Sequence, residues 1–203
     1  IKSRDHFSFG DEGFEPEVVE NDNFLAVLNI AQRAFEIIEV KKDTFWNISK
    51  FNKATYSLRS SDFRHYLEEF IESSEYGVPN TVFSLRRAGK IRYLDIAMNE
   101  LGLDDYFIES VLSQGYVGGR IKRTSIGEIS IFCRINGAFS TPVMIECLVR
   151  INGSMSVNDL LTLLKNSYGI DIIPAVLRAI IRRSDRLSLN GPMGIVSLSS
   201  DSQ

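Results

Sequence analysis

Cysteine, histidine and tryptophan are scarce in this chain, whose 203 residues include two cysteines, two histidines and a single tryptophan. Cys133 and Cys147 stand in neither a C-x-x-C nor a Cys/His spacing, which removes the usual structural zinc sites. Two thiols also fall short of a disulfide framework, so a reducing compartment, cytoplasmic or nuclear, is the expectation. Cys147 falls on the apolar stripe of a predicted helix and reads as a small buried hydrophobe. His6 and His65 are expected as ordinary surface side chains. No apolar run approaches the roughly 18 to 20 residues of a membrane-spanning helix, and the start lacks a basic segment followed by a hydrophobic one. A soluble protein without membrane association is expected. Walker-type loops, dinucleotide glycine fingerprints, H-E-x-x-H and G-x-S-x-G are all missing. Glu68 and Glu69 are neighbours on a predicted helix and point in different directions, so they make no carboxylate dyad. These absences predict that the stretch is not itself an enzyme and that it carries no metal and no cofactor.

What is present is globular in character. Hydrophobic residues make up 44% and charged residues 24%, far from the disordered extreme, and the length suits two or three small units. The net charge of −3 is unevenly spread. Residues 1–79 hold 9 basic and 15 acidic side chains, a net of −6, whereas residues 80–139 and 140–200 each come to +2. Local basic patches, not whole-chain charge, dominate nucleic-acid affinity, so the two later segments are the ones to inspect.

Residues 1–22 are acidic, with glycine and proline but no sustained period, and read as an arm or linker. Residues 23–79 read as an N-terminal helical region. A helix capped by Asn23 and running to Val40 is apolar on more than one face, which predicts burial on several sides or a contact with a protein partner or a second copy. Residues 41–58 show no clean period and are expected as loop with short helical or strand pieces. Behind Ser60 and Ser61, the apolar residues Phe63, Tyr66, Leu67, Phe70 and Ile71 have the spacing of an amphipathic helix.

Two later stretches share one order of elements. In residues 80–139, a helix near Thr81 to Ala88 precedes one around Arg92 to Leu101. A third, from Asp104 to Gln114, buries Phe107, Ile108, Val111 and Leu112, and a β-hairpin follows that Gly118 and Gly119 help to shape. In residues 140–200, a helix starting at Thr141–Pro142 turns Met144, Cys147, Leu148 and Ile151 inward. Ser156 and Asp159 cap the next helix, and a third from Ile172 to Arg183 buries Ile173, Leu177, Ile180 and Ile181 before a second hairpin. Matched positions such as Leu94 with Leu160, and Val111 with Ile180, suggest an internal repeat.

Helix, helix, short turn, helix and two-stranded hairpin is the order of a winged helix-turn-helix, and both stretches resemble that superfamily. The resemblance covers about 120 residues by pattern alone, without a signature motif. It implies a mainly α fold with small β-hairpins, an α+β class, as tandem winged-helix modules at residues 80–139 and 140–200. It also implies double-stranded DNA as a partner, gripped by third helices and wings. The third helix of the first module exposes Asp104, Asp105 and Glu109, which repel phosphate, whereas its wing offers Arg120, Lys122 and Arg123. The second module carries Arg178, Arg182 and Arg183 on its third helix, with Arg186 and Asn190 in its wing. An equally open reading makes Arg182 and Arg183 favourable charges at a helix C-terminus. The basic group Arg86, Arg87, Lys90 and Arg92 could grip phosphate or pair with the acidic N-terminal third, and the charge balance leans toward the pairing. Winged helices also serve as protein-docking faces without touching nucleic acid, and that is the alternative function.

Overall fold

The computed structural model describes residues 6–48, 52–53, 56–57, 60–113, 120–192 and 194–199. The chain divides into two compact units, the first from Ile1–Ser73 and Ile91–Gly119, the second from Ser74–Lys90 and Arg120–Gln203. Residues 80–139, expected as one module, are thereby shared between the units. Helices and small antiparallel sheets make up both, an α+β composition.

In the first unit, strands β1 (His6–Ser8), β2 (Ile37–Lys41) and β3 (Thr44–Asn47) form a sheet of order β1-β3-β2. Phe7 is fully buried and stacks on Phe14 and Phe45, with ring centroids 4.5 and 5.0 Å apart. Leu28, Ala31 and Ile37 complete this core. The acidic opening stretch is therefore not a free arm: its phenylalanines anchor it, and the short helix α1 (Pro16–Val19) follows. Each buried phenylalanine contributes on the order of 1.5–3 kcal/mol, enough to order a segment whose described acids, Asp11 to Glu20, are all exposed.

Helix α2 (Asp22–Arg33) is capped by Asn21, whose Oδ1 accepts the Asn23 and Phe24 amides at 2.9 and 3.4 Å. It stops seven residues before Val40, contrary to the expectation from composition. Ala34 closes the last turn, Phe35 takes the left-handed conformation at φ 52°, and the Glu36 amide reaches back to the Ala31 carbonyl. That is the helix-ending turn in which glycine is the common occupant. The chain leaves as β2, where Ile37 faces the phenylalanine core while Ile38 and Val40 alternate to the other face. All three are buried, so both faces of the strand are covered, although Glu39 interrupts its apolar run.

Strands β4 (Asn52–Lys53) and β5 (Tyr56–Ser57) form a small ladder, within the region expected to hold short pieces. Phe51, Leu58, Gln114, Gly118 and Gly119 lie outside the described residues. Helix α3 (Ser60–Ser73) buries Phe70 and Ile71; the side chains of Phe63 and Leu67 are likewise outside the description. With α4 (Val82–Arg87) belonging to the second unit, α5 (Arg92–Leu101) and α6 (Asp105–Ser113) complete the first. Gly102 ends α5 at φ 63°, Asp104 Oδ1 accepts the Tyr106 amide at the start of α6, and α6 packs Phe107, Ile108, Val111 and Leu112 inward beside β2.

The second unit holds α4, the hairpin β6 (Lys122–Ile126) and β7 (Ile129–Cys133), then α7 (Thr141–Asn152), β8 (Met155–Ser156), α8 (Val157–Tyr168), α9 (Pro174–Ile181), β9 (Leu187–Asn190) and β10 (Ile195–Leu198). Helix α7 buries every residue from Met144 to Val149, because it is covered on more than one side. Leu160, Leu164, Leu177, Ile181 and Val196 share one core with it, and so do Ile126 and Ile131 of the first hairpin. Two inward expectations are corrected. Ile151 is 52% exposed, past the end of the buried run, and Ile173 is 64% exposed because it precedes α9 in extended conformation, out of helical phase.

A short strand absent from the sequence reading joins the second hairpin, and an isolated β-bridge joins the first. Ser156 pairs with Ile195, giving the sheet order β8-β10-β9, and its Oγ caps α8 by accepting the Asp159 amide at 3.1 Å. At the first hairpin, Asn80 exchanges two backbone bonds with Phe132, at 2.7 and 2.8 Å, and the next residue, Thr81, caps α4 in a reciprocal box with Ser84. Thr81 Oγ1 also donates to the Tyr168 carbonyl, and Arg87 donates to Asn166 at 2.6 Å, so α4 seals the end of α8. Gly169 supplies the left-handed turn there, and a Cβ on it would sit 3.0 Å from the Phe83 ring. No helix among the described residues is long and apolar enough to cross a membrane.

Candidate nucleic-acid interface

Helix α9 starts at Pro174, whose fixed φ suits a first turn and whose missing amide costs nothing there. Leu177, Ile180 and Ile181 fasten it to the core. At 100° per residue this turns Ala175, Arg178, Ala179 and Arg182 outward, and all four are exposed. Arg178 and Arg182 are one turn apart and make no side-chain hydrogen bond or ion pair among the described residues. Two like charges at this spacing oppose helix formation by about 0.2–0.5 kcal/mol. The guanidinium of Arg178 lies beside Gly194, in the turn between β9 and β10, so the helix and its hairpin meet at a cation.

The other candidates are placed differently. Arg183 and Arg186 border a cavity of about 420 Å³ with Asn136, Ser140, Pro142 and Glu146. Glu146 is buried; its Oε1 accepts the Ser184 hydroxyl at 2.6 Å and its Oε2 lies 4.0 Å from Arg186 Nη1. Ser184 Oγ in turn accepts the Arg186 amide, so one carboxylate orders the link from α9 into β9. Arg183 carries no partner among the described residues. Asn190 turns its amide back onto Ser188 Oγ at 3.2 Å. In the first hairpin, Arg123 holds Ser130 Oγ across the strands through Nε and Nη2, at 3.2 and 2.7 Å; Lys122 is half-buried and engaged, and Arg120 is exposed.

All eight candidates thus lie in the second unit. Its sequence holds 13 basic and 7 acidic residues, a net of +6, against 10 and 19 in the first unit, a net of −9. Division by compact units separates the charge far more sharply than division along the chain. Sequence reasoning missed Glu146, although a lone acid inside the run Met144 to Val149 was a usable signal. It also missed Val176, exposed beside Arg178's helix face.

The thiols belong to the interior. Cys133 and Cys147 are 1% and 2% exposed; the bond that Cys133 donates to Cys147, and then burial, holds the Cys133 thiol protonated beyond the usual range. Among the described residues no three His, Cys, Asp or Glu side chains gather as metal ligands would. In comparisons with family models, curated proteins and solved structures, nothing matches this chain.

Proposed function

We propose that this chain binds duplex DNA through tandem winged helices, mainly through the one at residues 140–200 in the second unit, as a transcriptional or chromosomal regulator or the DNA-binding region of one. The order α7, β8, α8, α9, β9, β10 with its sheet order β8-β10-β9 supports one winged helix. A backbone pairing followed directly by a capped helix, at Asn80 and Thr81 and again at Met155 and Ser156, supports the kinship of the two hairpins. In this reading α9 enters the major groove, the β9–β10 hairpin is its wing, and Arg120, Lys122 and Arg123 add a second cationic edge. The protein acts by binding, not catalysis, in a reducing compartment.

The observation that carries the reading is the pair Arg178 and Arg182, exposed on the outward side of α9 and its C-cap, without a partner among the described residues, in a unit of net charge +6. Fluorescence anisotropy of the full chain with a mixed-sequence duplex tests it. Binding is expected at about 50 mM salt and should weaken steeply by about 200 mM. Replacing both arginines with alanine should weaken it at least tenfold, in line with charge-assisted contacts worth about 1–3 kcal/mol each. No detectable binding at low salt contradicts the reading.

Protein docking is the second reading, favoured by the exposed Val27 and Ile30 on one face of α2, at 52% and 66%. Sedimentation discriminates: a dimer or a co-migrating partner lost on exchanging both residues for serine supports it.

A further inference from the structure

We infer that the cleft at the start of α7 binds a small zwitterion, a free α-amino acid with an apolar side chain. Three segments of the second unit enclose about 420 Å³ there: the link from β7 into α7 (135–140), the first turns of α7, and the link from α9 into β9 (183–186). That volume lies within the ~300–1,000 Å³ of small-molecule sites. Pro142, Val143 and Glu146 share one face of α7 and turn it toward the cleft. Glu146 is its deepest polar group, 5% exposed. Its Oε1 accepts the Ser184 hydroxyl, whereas Oε2 makes no hydrogen bond and has Arg186 Nη1 4.0 Å away. Among the described residues no fully buried side-chain oxygen goes without a partner, so Oε2 opens into the cleft. A carboxylate so withdrawn from water strongly favours any ligand that brings it a donor.

The charges around Oε2 define the rest of the ligand. Arg183 and Arg186 balance Glu146 and Asp185, so the lining is neutral as a whole. A pure anion would bring a like charge to Oε2, and a pure cation would meet two guanidiniums. A ligand that joins an ammonium to a carboxylate answers both, the ammonium donating to Oε2 and the carboxylate accepting from Arg183, which is exposed and has no partner among the described residues. Ser140 leaves the first turn of α7 without a side-chain cap, so the Val143 amide supplies a further donor to the carboxylate. Val143 precedes Glu146 by three residues, about 4.5 Å along the helix axis. So short a span suits an ammonium and a carboxylate on the same carbon. Ile135, Ala138 and Pro142 give the cleft an apolar wall for the side chain. The inference stands apart from the duplex reading, which rests on Arg178 and Arg182; neither borders the cleft.

The test titrates the isotope-labelled full chain, without DNA, with valine, leucine, methionine and phenylalanine, and follows the amide resonances of Val143, Ser184 and Arg186. At least one of the four should shift them saturably, with a dissociation constant of about 1 mM or tighter for ligands of this size. Two probes keep that amino acid's side chain and remove one charge each; for leucine they are isopentylamine, which lacks the carboxylate, and isocaproate, which lacks the ammonium. Each should bind at least tenfold more weakly than the amino acid, the value of a lost bond to a charged group. Glu146→Gln should weaken the amino acid and leave the carboxylate probe unchanged. Arg183→Ala should weaken the amino acid and leave the amine probe unchanged; its exposed position keeps the test open where Glu146→Gln disturbs folding. The inference is overturned if no amino acid of the four shifts these resonances saturably, or if either half-ligand binds as tightly as the whole. Such a result leaves the duplex reading standing.

Discussion

Phe35 is held at φ 52° yet is 2% exposed, so one residue combines an unfavourable backbone with a buried ring. The left-handed conformation costs a non-glycine residue roughly 1–2 kcal/mol. Loss of a buried phenylalanine ring costs about 3–5 kcal/mol. Both Phe35→Ala and Phe35→Gly should therefore destabilise, but the glycine variant should be the more stable of the two by about 1 kcal/mol in denaturant titration. The reverse ranking contradicts this account of how α2 ends. The same residue explains a failure of sequence reading. Helix stops are recognised by glycine or proline, and a phenylalanine followed by Ile37, Ile38 and Val40 continues a helical-looking run. Ile151 and Ile173 teach a related lesson, for a spacing that extends a stripe by one residue does not bury that residue once the helix has ended or has not begun.

At the scale of elements, helices with strong periods and clear caps were legible: α3, α5, α6, α7, α8 and α9 all stand close to where their apolar spacing put them. The strands paired over long range were not. Strand β1 meets β3 across 36 residues or more, and neither has enough length to show a period of its own. β8 consists of two residues whose only signature is the cap that follows. Element packing also sets a pH dependence. Tyr66 on α3 is pushed above its ordinary value near 10, first by burial and then by the charges of Asp95 on α5 and Glu69. A raised phenol means that the folded state keeps a proton the unfolded chain releases. Its contribution is therefore complete below about pH 10 and lost as the solution becomes more alkaline. Tyr66→Phe should flatten the fall of Tm above pH 10; an unchanged alkaline slope contradicts the linkage.

For the whole molecule, the decisive feature is the separation of charge into units of −9 and +6. Counting along the chain concealed it, because Ile91–Gly119, with one basic and five acidic residues, folds with the acidic unit. The eight basic and amide candidates were all legible as residues, and all lie in the basic unit. Their states were not legible, since whether Arg123 holds Ser130 or Arg186 approaches Glu146 depends on contacts made only after folding. Arg178 on α9 and Arg182 just past its end are left without a side-chain partner among the described residues, and in the proposed DNA reading a phosphate contact by each would release counterions. The most direct measurement is the slope of log affinity against log salt for duplex binding by the full chain and by the Arg178→Ala, Arg182→Ala variant. The variant should have the shallower slope, by between about 1 and 2. Equal slopes for the two proteins would contradict the placing of α9 on DNA.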